Sequence, residues 1–161
     1  MKYAFVNGKI LDGTKDMQPK EGLAVLTDGE KIVDIMPNKA VPYGYTKVDL
    51  KGKYIMPGLI NMHVHLAGNG KPQKKQRDNE KLVKTIMSTG LTKAVAYKMV
   101  ASFAKLELLS GVTTIRTVGG LTDFDTRLRD EITAGRKDGP RILAANQASP
   151  CPEATWRAPL R

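Results

Sequence analysis

Pro57-Gly58-Leu59-Ile60-Asn61-Met62-His63-Val64-His65 holds both histidines of the chain, two positions apart, behind the apolar run Tyr54-Ile55-Met56. Side chains alternate along a β-strand with a period of 2, so on a strand His63 and His65 share a face. Two neutral imidazoles on one face, at a strand end, can grip one divalent metal. The pattern is short. It also fits a strand with one surface histidine and one hydrogen-bonded histidine.

Upstream of this stretch the chain reads as short strands. Tyr3-Ala4-Phe5-Val6 precedes Asn7-Gly8, a hairpin signal, and then Lys9-Ile10-Leu11. Gly22-Leu23-Ala24-Val25-Leu26 and Lys31-Ile32-Val33-Asp34-Ile35-Met36 flank the turn Thr27-Asp28-Gly29-Glu30. Lys47-Val48-Asp49-Leu50 leads through Lys51-Gly52 to the histidine strand. Short strands with frequent turns predict a small antiparallel sheet or half-sandwich. No catalytic residue type stands out in it.

Downstream the texture changes. Leu66 to Asn79 is glycine-rich and basic, a loop. A short helix is expected over Glu80 to Ser88, ended by Thr89-Gly90, and a long one over Thr92 to Leu109. Val95, Met99, Phe103, Leu106 and Leu109 recur at helical spacing and are the expected core stripe. Ser110-Gly111 stops that helix, and the β-branched run Val112 to Val118 predicts a strand. Gly119-Gly120 allows a tight turn. Thr122 or Asp123 can cap a helix to about Arg136, and Arg141 to Ala145 is a third strand. Alternating strands and helices predict parallel βαβ units, as an open doubly wound sheet or a (β/α)8 barrel. No Gly-x-Gly-x-x-Gly follows a strand, which weakens the dinucleotide-binding version.

With 161 residues, one domain's worth of core is available. No apolar run reaches the ~18 residues of a membrane span, and the N-terminus lacks a signal-peptide core. A single cysteine, Cys151, excludes an internal disulfide, and the cytoplasm is the expected compartment. The net charge of +10 raises nucleic-acid binding as an alternative. Its excess gathers at Lys71, Lys74, Lys75, Arg77, Lys81, Lys84, Lys93 and Lys98. No aromatic residue interleaves the first six of these, which argues against a base-stacking surface. A solvated basic loop is the preferred reading, with no nucleic-acid and no membrane partner.

Two segments carry a family resemblance. Pro-Gly-Leu-Ile-Asn-x-His-x-His, entered from Gly52-Lys53-Tyr54-Ile55-Met56, resembles the first barrel strand of the metal-dependent amidohydrolase superfamily. Leu108-Leu109-Ser110-Gly111-Val112-Thr113-Thr114-Ile115-Arg116-Thr117-Val118-Gly119-Gly120 resembles the end of the first barrel helix and the second strand. It is most similar to the branch of imidazolonepropionase-like enzymes and Xaa-Pro dipeptidases. The resemblance runs from about residue 3 to about residue 148. It implies an α/β fold, the N-terminal part of a (β/α)8 TIM barrel with about three strands, preceded by a small antiparallel β-sandwich portion. The expected division is 1–52 for the incomplete β domain, 53–148 for the first βα units and 149–161 for an irregular tail.

The resemblance also implies chemistry. His63 and His65 would hold a divalent metal, zinc above all, one or two ions in a complete enzyme. A metal-activated water would hydrolyse a C–N bond of a small amide, cyclic amide or dipeptide, and a homo-oligomer is compatible with this. A catalytic zinc generally takes three protein ligands and an open position. This chain has no third histidine. In the family the remaining ligands come from later strands: a lysine or glutamate bridge, two more histidines and an aspartate. Asp123 and Asp125 follow the second strand but read first as capping and surface acids. Arg116 and Thr117 end that strand and either line the mouth or pack; Thr117 stands where related sequences often carry aspartate.

Three strands where a barrel needs eight lead to the expectation of about the first two-fifths of an enzyme, truncated and inactive alone. The tail from Ala148 to Arg161 has three prolines and no periodicity, and lacks the family's Gly-Gly-His turn. One permitted back-translation from Ser149, read in a shifted frame, gives Pro-Met-Pro-Gly-Gly-His-Met-Glu-Gly-Thr-Val-Ala, which restores it. A frameshift near Ala148 is the corresponding expectation. A non-catalytic fragment that binds metal weakly or not at all is the other-class reading of these residues alone.

Overall fold

The computed structural model describes residues 1–68 and 79–146. The basic run at 69–78 and the tail with Cys151 and the frameshift expectation lie outside the described residues. The chain forms two compact units, which part between Pro57 and Gly58. No described helix is long and apolar enough to cross a membrane.

In the first unit, β1 (Lys2–Val6), β3 (Leu23–Asp28), β4 (Lys31–Pro37) and β5 (Thr46–Asp49) form one sheet in the order β4-β3-β1-β5. β2 (Lys9–Ile10) and β6 (Tyr54–Ile55) form a second, two-stranded sheet. The Thr27–Glu30 turn joins β3 to β4 as a hairpin, with Gly29 at φ 58°. Ala4, Val6, Ala24 and Leu26 alternate inward and make the core.

One expectation fails here: Asn7-Gly8 does not close a hairpin. The four-stranded sheet is mostly antiparallel, with one parallel pair. β1 already has β3 on one edge and takes β5 on the other, in parallel. Asn7 then clasps the end of β5. Its Nδ2 donates to Asp49 Oδ1 at 3.1 Å, and its carbonyl accepts from Gly52 N at 2.7 Å. With both edges of β1 satisfied, β2 leaves to pair in parallel with β6. That pairing keeps Tyr54–Ile55 in the first unit, so the break falls after residue 57 rather than 52.

The second unit is the βα part. β7 (Leu59–Val64), β8 (Val112–Thr117) and β9 (Arg141–Leu143) form a parallel sheet in sequential order. Sequential parallel order fits the arc of a barrel, and three strands in order also fit one half of a doubly wound sheet. Gly58 admits β7 to β8, because a Cβ at this position would collide with the Thr113 side chain. α1 (Asn79–Ile86) and α2 (Gly90–Leu109) connect β7 to β8, and α3 (Phe124–Thr133) connects β8 to β9.

Thr89 caps α2 rather than ending α1. Its side chain accepts from Thr92 N at 3.2 Å, and Thr92 Oγ1 accepts from Thr89 N at 3.3 Å, a reciprocal capping box. Gly111, at φ 93°, follows the helix end.

The expected core stripe of α2 is corrected by the structure. Val95 is 63% exposed, Leu106 60% and Leu109 71%; only Phe103 of that set packs into the core. The buried face is Ala96, Tyr97, Val100 and Ala104, turned about 100° from Val95. Ala96, Val100 and Ala104 let the helix approach its neighbours closely, while Val95, Leu106 and Leu109 point outward. Ile115, Leu128 and Ile142 complete the core between sheet and helices. Tyr97 meets Phe124 edge-on at 5.4 Å, and the Arg127 guanidinium lies 4.0 Å over the Tyr97 ring, joining α2 to α3.

This assignment of faces has a direct check. Leu128→Ala should cost about 2–5 kcal/mol in urea unfolding. Leu106→Ala should stay within about 0.5 kcal/mol. A loss at Leu106 as large as that at the α3 residue Leu128 would mean the buried face of α2 has been misread.

Candidate functional site

The site begins with the geometry of β7. His63 lies in the strand and His65 immediately after it, at the C-terminal end of a parallel strand. Both are exposed, while Val64 and Leu66 between and beyond them are buried. The imidazole centroids stand 5.3 Å apart with ring planes at 68°. Both rings therefore occupy one side, as a strand period of 2 requires.

Each histidine is tied differently. His63 N donates to Asn61 Oδ1 at 3.2 Å, so Asn61 braces the backbone. His65 Nδ1 lies 3.2 Å from the Gly119 carbonyl oxygen. A carbonyl only accepts, so this bond puts the His65 proton on Nδ1 and leaves the Nε2 lone pair free. Gly119 belongs to the turn after β8 and has φ 148°. The two strand ends thus cooperate: β7 supplies the imidazole and the β8 turn selects its tautomer.

An open cavity of about 320 Å³ adjoins the pair, lined by Asn61, both histidines, Leu66, Phe103 and Glu107 among others. Among the described residues no group of three His, Cys, Asp or Glu side chains is placed to hold a metal ion. The pair supplies two nitrogen donors, one with its ring orientation held by a carbonyl, which suits a borderline divalent ion as a partial ligand set.

The other sequence candidates separate. Arg116 is exposed, and Thr117 is fully buried. Thr117 Oγ1 accepts from Ala145 N at 3.0 Å, which fastens the segment after β9 to β8. Asp123 stands at the N-cap of α3 but makes no capping bond; it accepts from Thr122 Oγ1 at 3.1 Å. Asp125 is not a surface acid. It is 1% exposed, and neither carboxylate oxygen has a partner among the described residues. Asn146, unmarked in the sequence, links this region. Its Oδ1 accepts from Thr126 N and Thr126 Oγ1 at 3.0 and 2.7 Å, and its carbonyl accepts from Gly120 N at 2.8 Å.

Thr117→Val keeps the shape and leaves the Ala145 N–H without its acceptor. It should lower stability by about 1–3 kcal/mol and speed hydrogen exchange at Ala145. Unchanged exchange there would show that the bond does not hold β8 to the segment after β9.

Comparison with known proteins bears on this arrangement. The amidohydrolase family profile matches residues 54–158. A dihydroorotase of Anaplasma phagocytophilum is 29% identical over 142 residues, covering 79% of this chain and 31% of that protein. A dihydroorotase of a Wolbachia strain from Drosophila simulans is 37% identical over 75 residues, 46% of this chain and 17% of that protein. Among solved structures, a Xaa-Pro dipeptidase with methionine bound in its active site superposes with a TM-score of 0.69 at 27% identity. That match covers 92% of this chain and 34% of the dipeptidase. The chain therefore spans about a third or less of the relatives it matches. Its second unit has the architecture of the N-terminal part of an amidohydrolase TIM barrel. With more than half its length matched by the family profile, the chain belongs to the amidohydrolase family.

Proposed function

We propose that this chain is the N-terminal portion of a metal-dependent hydrolase acting on a C–N bond of a small amide, cyclic amide or dipeptide. The observation that carries this is the imidazole pair at the C-terminal end of β7, with His65 Nδ1 tied to the Gly119 carbonyl. His63 and His65 would be two ligands of a divalent ion; imidazole donors suit zinc among other borderline metals, and the family resemblance favours zinc. When bound, such an ion supplies Lewis acidity and an activated water near neutral pH.

The chain's own contribution is positioning. Asn61 holds the backbone at His63, and the β8 turn holds the ring of His65. Leu66 and Phe103 bring apolar surface to the adjoining cavity. A small amide or dipeptide fits the relatives' named activities, dihydroorotase and Xaa-Pro dipeptidase. Among the described residues the ligand set is partial: two nitrogen donors leave a zinc ion short of at least one protein ligand.

Cobalt(II) or zinc titration of the whole chain tests the site. Weak binding is expected, reduced at least about tenfold in the His63→Ala, His65→Ala double variant. No metal-dependent turnover of dipeptides or cyclic amides is expected from the chain alone. Equal affinity in chain and double variant would remove the histidines from the metal. Turnover that the double variant abolishes would show that the chain completes its own site.

A further inference from the structure

Asp125 is the group near the histidine pair that the proposed chemistry does not use. It lies in the first turn of α3, and both its carboxylate oxygens are shut away without a hydrogen-bond donor among the described residues. A buried carboxyl group without donors carries a desolvation penalty, so its surroundings matter.

The neighbouring turn lies against it. A side chain at Gly120 would meet Asp125 Oδ2 at 2.6 Å and Oδ1 at 2.7 Å. The carboxylate therefore fills the space against Gly120 that any other residue's Cβ would take. The preceding residue, Gly119, holds the carbonyl that receives the His65 Nδ1 proton. The other side of the turn is anchored through Asn146, which joins Gly120 N to Thr126, the residue after Asp125. Successive residues of α3 thus grip the turn in two ways: Asp125 by occupying space, Thr126 by hydrogen bonds through Asn146.

We infer that Asp125 is a positioning residue for His65. By packing under the Gly119–Gly120 turn it fixes the direction of the Gly119 carbonyl, and so keeps the His65 proton on Nδ1 and its Nε2 lone pair available. The purpose of that lone pair rests on the metal-site reading above; the tautomer itself is readable with no metal present.

The test is nitrogen-15 NMR of the metal-free whole chain at a pH where both imidazoles are neutral. Only two histidines contribute, and His63→Ala assigns the His65 signals. The wild-type chain should show His65 protonated on Nδ1. Asp125→Ala should lower the Nδ1–H to Nε2–H ratio about fivefold, the worth of one hydrogen bond. Asp125→Asn, of equal shape, should restore it. Gly120→Ala, which displaces the carboxylate, should reproduce the loss and serves if Asp125→Ala does not fold. A wild-type His65 protonated on Nε2 overturns the inference. So does a folded Asp125→Ala or Gly120→Ala chain with unchanged His65 shifts, or an asparagine variant that behaves like alanine. A wild-type chain with the Nδ1 tautomer and no affinity for zinc or cobalt would sink the metal reading alone. Metal binding with unaltered shifts in the variants would sink only this inference.

Discussion

The parallel ladder between β7 and β8 is the contact on which the second unit depends. It runs from Leu59 opposite Val112 to Val64 opposite Thr117, with irregularities that re-aim the strand near the histidines. That register brings His65 level with the turn after β8. Without it the Gly119 carbonyl would have no imidazole to meet, and α2 would have no sheet to cover. β8 in turn carries β9, so the ladder also sets where α3 begins. The helices add burial to this frame. Ala96, Val100 and Ala104 press one face of α2 against it, and Leu128 does the same from α3.

The histidine pair was legible in the sequence because it depends on local periodicity alone. A strand alternates whatever it packs against, so His-x-His after an apolar run places two rings together without knowledge of the fold. The βαβ alternation was legible for a similar reason: Thr89, Gly111 and the β-branched run Val112 to Thr117 are local signals. The partner of β1 was not local. Asn7-Gly8 is a good hairpin turn in isolation, but β5, some forty residues away, offered a better set of hydrogen bonds. Local preference lost to tertiary pairing.

The helix and the acids show a second limit. Val95, Met99 and Leu106 look like a core stripe because they recur at helical spacing. Interior faces select for fit, and alanines at 96 and 104 fit the sheet better. Asp125 was misread for the opposite reason. An aspartate at a helix start normally sits in water, and nothing in the local pattern marks one enclosed by a glycine turn. Asn146 carries no motif at all; its three bonds exist only once α3 and the segment after β9 are side by side. The placement of the histidine pair was therefore easier to read than the residues packed around it.

The close approach of Gly58 to Thr113 has a consequence for inheritance. Two positions more than fifty residues apart in sequence share one small volume, and a Cβ at 58 has no room while threonine occupies 113. Drift at either site is then conditional on the other: a larger residue at 58 becomes admissible only after 113 has shrunk, and effects of changes at the two sites will not add. Lineages carrying this strand pair are expected to exchange these two residues as a unit, or to keep both.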